Sequence, residues 1–371
     1  MRGRLTAILC ILVAMSVALS SCAAGKMDLP PEAGFAGVKI TVWDLHRPVV
    51  DGVDGYEAEV RRIGEEFASA KNVEVELRFA GRQEISDVLS GKAEAQVDLV
   101  CTGEWPFIPD AARDLSGLSS QDIYVDAAAS YWRKDGKLLA VPAYFHWTGT
   151  AYRPAGTQDA YSWDSPLFLS AALGKGEFPP HPEEVASYLA FILKERGKAP
   201  HDPLLSWEDG TAKSFYPFTP YLWQRFHAKD ATVTIGPVCR SVEESFYYYT
   251  VPAYVVLAQD AAETACAAKL AALLAANLGR WAARALSCVP ALREDVSVWN
   301  LESDLGYDDR SAMLFSLSAL SLTAPSALEH DLWESLETAL RGVAKGYLSG
   351  EFGEEEAGRG IQEALGRHTK P

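Results

Sequence analysis

Apolar and polar side chains alternate from Val38 to Trp43 (Val-Lys-Ile-Thr-Val-Trp), the period of a half-buried strand. After a loop carrying Pro48, Gly52 and Gly55 the period lengthens, and Tyr56, Val60, Ile63 and Phe67 fall on one face of a helix. Val73 to Phe79 alternates again, Ile85 to Leu89 predicts a short helix, and Val97 to Cys101 an apolar third strand. Strand, helix, strand, helix, strand is the signature of an α/β unit with a parallel sheet, because each parallel crossover needs a connecting helix. In such sheets ligands gather at the carboxyl ends of the strands, here Trp43-Asp44 and Glu104-Trp105.

Further along, Leu138 to Tyr144 predicts a strand limited by Pro142, and Val185, Leu189, Ile192 and Leu193 share a helical face. Thr232 to Ile235 is a short strand stopped by Gly236-Pro237. Tyr247 to Leu257 is an extended run interrupted by Pro252 and long enough to cross between two bodies. Ala261 to Leu286 is helical and Ala-rich, and late helices begin near Glu329, with Leu332, Leu336, Leu340 and Val343 in register, and near Glu354.

The amino terminus has different chemistry. Arg2 and Arg4 precede an uncharged apolar run from Leu5 to Leu19, too short for a membrane-spanning helix, which needs about 20 residues. Residues 1–21 therefore read as a secretory signal, and Leu19-Ser20-Ser21-Cys22 resembles a bacterial lipobox, in which Cys22 receives a lipid. Residues 22–37, with Gly25, Pro30, Pro31, Gly34 and Gly37, form a tether. This places the protein in the cell envelope, anchored to a membrane on its periplasmic or extracellular side.

Charge narrows the partners. With 34 Lys+Arg against 50 Asp+Glu the net charge is −16, and loss of the leader deepens it, which disfavours nucleic acid. The leftover Cys101, Cys239, Cys266 and Cys288 allow disulfides in an oxidising compartment or buried free thiols. No two of the seven His lie at i, i+4 spacing, so neither a metal site nor a cofactor is expected.

The order of pieces resembles the extracellular solute-binding proteins of bacterial ABC importers, of the maltose- and oligosaccharide-binding type. It is carried by Ile40-Thr41-Val42-Trp43, Glu65-Glu66-Phe67, Val97-Asp98-Leu99-Val100, Gly136-Lys137-Leu138-Leu139-Ala140-Val141-Pro142 and Ala231-Thr232-Val233-Thr234-Ile235-Gly236-Pro237. The stretches from Leu332-Trp333 to Ser349-Gly350 and Glu354-Glu355-Glu356-Ala357 complete it. The resemblance implies an α/β, two-lobe periplasmic-binding-protein fold of type II, with lobes joined by crossing strands and a ligand held by hinge closure. Lobe one is then 38–142 with 253–300, lobe two is 143–252 with 301–371, and Tyr144 and Tyr254 lie near the crossings. The implied protein is a monomer that delivers a carbohydrate to ABC permease subunits and performs no chemistry.

Sugar rings stack their C–H faces on Trp or Tyr while their hydroxyls seek carboxylates. Trp43 with Asp44, and Glu104 with Trp105, pair these chemistries. The resemblance adds His146 and Trp147 beyond the first crossing, Tyr216 in the segment Phe215-Tyr216-Pro217-Phe218, and Trp333. Three rivals remain. A polyamine or other cation would suit aromatic rings beside Asp44 and Glu104. Paired acids could serve a glycoside hydrolase. The third rival is an interaction lipoprotein with a degenerate cleft. It is prompted by Lys229-Asp230-Ala231-Thr232-Val233, by Val238-Cys239 after Pro237, and by the short stretch between Trp223 and Ala231, where the sequence departs from the family.

Overall fold

The computed structural model describes residues 35–47, 55–93, 95–104, 106–117, 123–161, 202–227, 230, 232–239, 245–318 and 323–368. The leader, residues 22–34 of the expected tether with Cys22, Trp105 and the helix expected around Val185 to Leu193 lie outside the described residues; residues 35–37 of that tether instead join the fold, with Phe35 buried and the Gly37 amide donating to the Asn72 carbonyl at 3.0 Å.

The principal strands are β1 (Lys39–Leu45), β2 (Glu74–Ala80), β3 (Leu99–Cys101), β4 (Val141–Pro142), β5 (Tyr144–Tyr152), β6 (Gln158–Tyr161), β7 (Ala212–Phe218), β8 (Thr234–Gly236), β9 (Tyr248–Thr250), β10 (Ala253–Val256) and β11 (Val289–Pro290). The helices are α1 (Tyr56–Lys71), α2 (Arg82–Leu89), α3 (Asp126–Tyr131), α4 (Pro203–Glu208), α5 (Pro220–His227), α6 (Ala261–Leu286), α7 (Arg293–Glu302), α8 (Tyr307–Ser318), α9 (Ala327–Leu348) and α10 (Glu354–His368). The chain divides into two compact units. The first takes in Met1–Phe145 and Val251–Ser318, the second His146–Thr250 and Ala319–Pro371.

The first unit is built on a sheet of order β2-β1-β3-β10-β4. β1 runs parallel to β2 and β3, as the alternation of strand and helix predicts, while β10 runs antiparallel to β3 and β4. Along β1 the buried positions Ile40, Val42 and Asp44 alternate with more exposed ones, so a carboxylate occupies the apolar face of the strand at its carboxyl end. α6 packs against α1, β1, β4, β10 and β11. It is long and apolar enough to cross a membrane, but more than half of that stretch is buried as the core helix of this unit. Asp260 caps its start by accepting from the amides of Ala262 and Glu263. Gly279 allows the close approach: a Cβ there would fall 2.4 Å from the Ala143 carbonyl oxygen.

The expected division assigned 301–371 to the second lobe, whereas α8 clusters with the first unit. Arg310 fastens α8 to the loop before it through the carbonyls of Ser303 and Leu305. The expected strand from Leu138 to Tyr144 is broken into three pieces: Leu138 pairs with Arg133, Pro142 ends β4, and the backbone resumes as β5.

The second unit centres on β5, which pairs antiparallel with β7, β8 and β9, and β7 pairs parallel with β6. One face of this sheet is aromatic. Trp147 sits 6.4 Å from Phe218 between ring centroids, and Phe215, Phe218, Phe226 and Trp207 pack around one another. α9 begins with a capping box in which the Ser326 hydroxyl accepts from the Glu329 amide and the Glu329 carboxylate accepts from Ser326. Leu332, expected to face the core with Leu336, is 41% exposed. The buried stripe of α9 runs through Trp333, Leu336, Glu337 and Leu340 instead.

Candidate functional site

At the carboxyl ends of β1 and β3, the first unit holds a compact group of charged and phenolic side chains. Asp44 is fully buried. Its Oδ2 accepts from the Tyr56 hydroxyl at 2.8 Å and from the Tyr254 hydroxyl, and the two phenol oxygens are 2.9 Å apart. Its Oδ1 accepts from the Leu45 amide at 2.7 Å. The buried Glu104 meets Arg47 at 2.6 Å and accepts from the Tyr144 hydroxyl at 2.9 Å. Arg47 also donates toward Tyr144 at 3.3 Å and toward the Cys101 sulfur at 3.6 Å. The Arg47 guanidinium lies 5.1 Å from the centre of the Tyr56 ring and 5.5 Å from that of Trp281, so its hydrophobic faces are covered by aromatic surface.

Desolvation and the Asp44 charge hold the Tyr56 and Tyr254 phenols well above their ordinary pKa, which keeps both hydroxyls as donors. Burial, more than any neighbour, also raises the Cys101 thiol, and it raises that of Cys266 less far, to about 11. Cys101, Cys266 and Cys288 are buried, and no disulfide joins them to one another. Trp43 points to the other face of β1 from Asp44. It is half-buried, and the Arg78 guanidinium stacks on it 4.1 Å from the ring centre.

In the second unit His146 and Trp147 are buried on successive positions of β5 and so point to opposite faces. Trp147 joins the aromatic face. His146 shares the other face with Thr148 and Thr150, and the paired strand adds Tyr248 and Thr250, opposite Thr148 and His146. Ser214 of β7, opposite Tyr152, belongs to the same face. His146, Thr148, Thr150, Ser214 and Thr250 are all at most 3% exposed. The Thr148 hydroxyl and the Trp147 indole N–H have no hydrogen-bond partner among the described residues. Desolvation, then the buried Glu337 carboxylate of α9, raises the Tyr248 phenol pKa. Tyr216 is buried on β7 and Trp333 on α9, one turn before Glu337.

Sequence reading thus located both strand-end acids but missed Arg47, Tyr56 and Trp281, which partner them. A basic residue three positions after Asp44 was the available signal. It also missed Glu337, whose i, i+4 spacing from Trp333 puts a carboxylate on the same helical face. His330, Asp331 and Glu334 of α9 could bring ligand atoms within 4.8 Å of one another, a grouping that a search for paired His does not find. Asp331 and Glu334 are partly solvent-facing, and the largely buried His330 ring lies 4.0 Å from the Asp331 carboxylate.

No protein-family model and no curated protein matches the chain. Solved structures do. The cyclic alpha-maltosyl-1,6-maltose binding protein of Arthrobacter globiformis is 16% identical with a TM-score of 0.64, over 90% of this chain and 99% of its own. The maltotriose binding protein of Thermus thermophilus, bound with maltotriose, is 16% identical with a TM-score of 0.60, over 89% of this chain and 98% of its own. An ABC substrate-binding protein of Listeria monocytogenes in complex with cycloalternan is 12% identical with a TM-score of 0.58, over 89% and 99%. The chain therefore has the α/β, two-lobe, type II periplasmic-binding-protein fold of these proteins.

Proposed function

We propose that the protein is the lipid-anchored, substrate-binding component of an ABC importer and that its ligand is a neutral carbohydrate. One observation carries the choice of ligand class: both strand-end acids of the first unit are already engaged, Glu104 by Arg47 and Asp44 by two phenols. A cationic ligand would need those carboxylates for itself. The polar side chains facing inward in the second unit are mostly hydroxyls, which donate and accept equally and match a polyhydroxyl partner. In the first unit the half-buried Trp43 offers aromatic surface of the kind that sugar C–H faces seek, and in the second His146 stands among the hydroxyls, whereas Trp147 is spent on the aromatic face of its own sheet. The solved structures that share the fold are sugar-binding proteins, which supports the same reading.

Delivery requires a docking surface. Val298, Leu301, Tyr307 and Phe315 on α7 and α8 are 49%, 83%, 61% and 64% exposed, beside Glu302, Asp304, Asp308 and Asp309. Apolar side chains set among acids suit a permease surface with basic residues around an apolar centre. Cys22 carries the anchor, and a Cys22→Ser protein should be released in soluble form.

Calorimetric titration of the mature protein with maltose, maltotriose, a cyclic oligosaccharide and spermidine tests the ligand class. Binding of at least one sugar with no heat from spermidine is the expected result. Spermidine binding with silence from every sugar would overturn it.

A further inference from the structure

The two engaged acids lie beside the two places where the chain passes between units. Tyr144 is the residue before Phe145, where the first unit ends, and β5 carries on into the second. Tyr254 follows closely after Val251, where the chain returns. Glu104 holds the first hydroxyl and Asp44 the second. The backbones of the two passages are tied to each other, since the Ala143 amide donates to the Pro252 carbonyl at 2.9 Å, and Trp132 donates its indole N–H to the Val251 carbonyl at 2.8 Å. Arg47 links the halves of the group, bonding Glu104 and Tyr144 while covering the Tyr56 ring.

We infer that Asp44 and Glu104 are positioning residues, which clamp the tyrosines flanking both chain passages to the first unit and so confine bending to the few residues beyond the clamps. Tyr144 and Tyr254 are the parts clamped, and Arg47 and Tyr56 make the two clamps one body. Motion between units in two-lobe folds is absorbed by a few such residues, so fixing where the flexible stretch begins also fixes how readily a ligand-bound state reopens.

Hydrogen exchange on the mature protein tests the clamp without any ligand. In Tyr144→Phe and Tyr254→Phe, amides of residues 145–148 and 250–251 should exchange about fivefold faster or more, the loss expected for one ordinary hydrogen bond, while β1 and β2 keep their rates. Val42→Ala, which removes a fully buried methyl pair from β1, is the control for loss of stability alone. A uniform rise across the first unit matching that of Val42→Ala, or no rise at the passages, would overturn the clamp. Should Tyr254→Phe fail to fold, Tyr144→Phe answers the question alone, since it leaves the Asp44 contacts intact. The consequence for capture rests on the proposed sugar-binding role: with maltotriose as probe, both variants should show a dissociation rate about threefold faster or more, and Val42→Ala an unchanged one. Silence of the wild type toward maltotriose would count against the sugar reading while the exchange result still decides the clamp.

Discussion

The two units spend polar side chains in opposite ways. The first buries charge and satisfies it: two carboxylates, one guanidinium and three phenols form a closed set of short contacts at the strand ends. The second buries neutral hydroxyls on one face of its sheet and leaves at least one, Thr148, without a partner among the described residues; it buries the Glu337 carboxylate as well, but its ion pair of Arg153 with Asp230 lies nearer the surface. A satisfied buried network rigidifies what it touches, whereas unspent hydrogen-bonding capacity is tolerated only where it is used or where its cost is carried by other packing. The contrast separates a unit that fixes geometry from one that keeps polar capacity in reserve.

The sharpest way to break this comparison is at Arg47. Arg47→Ala leaves Glu104 buried without its cation and should cost about 3–5 kcal/mol, read from the urea midpoint at constant m-value. A loss below about 1 kcal/mol would mean that water reaches the group and that the first unit is no better sealed than the second. The opposite sign is expected in the second unit. Thr148→Val is nearly isosteric and removes a buried hydroxyl that lacks a partner, so the protein should gain about 1 kcal/mol or hold its stability. Destabilisation of that size would show that the hydroxyl is satisfied after all.

The smallest effect concerns the outer charges. The Asp230 carboxyl is held below its ordinary value of 3.8, first by the Thr232 hydroxyl, then by the Thr232 amide, with Arg153 adding to both. A folded pKa lower than the unfolded one gives stability that is present above the unfolded value and lost as pH falls through the folded one. The wild type should therefore weaken more steeply than Asp230→Asn below about pH 4, in parallel acid titrations of thermal midpoint. Identical acid limbs would remove Asp230 from the account.

Much of the framework was legible along the chain because its signals are local. The switch from period two to the helical period marked β1, α1 and β2, the Ala-rich run marked α6, and the register of Leu332, Leu336, Leu340 and Val343 placed the start of α9 within two residues of Ala327. Trp43-Asp44 was legible as a strand end, but the alternation that turns Asp44 inward and Trp43 outward decides their company, and that company is remote in sequence. Tyr254 reaches Asp44 from 210 positions away. Leu332 and Trp333 show the same limit on a helix, where neighbouring apolar residues could each have faced the core and the packing chose the Trp.

By itself the sequence determined the elements, the α/β class and which residue types stand at the strand ends, since these follow from periodicity, turn residues and side-chain chemistry read over a few neighbours. The tertiary structure decided which acids are spent and on what. A buried carboxylate takes its partners from whichever strands and helices pack against it, and in this chain β10 and α6, which return to β1 and β3 from the far half of the sequence, supply Tyr254 and Trp281.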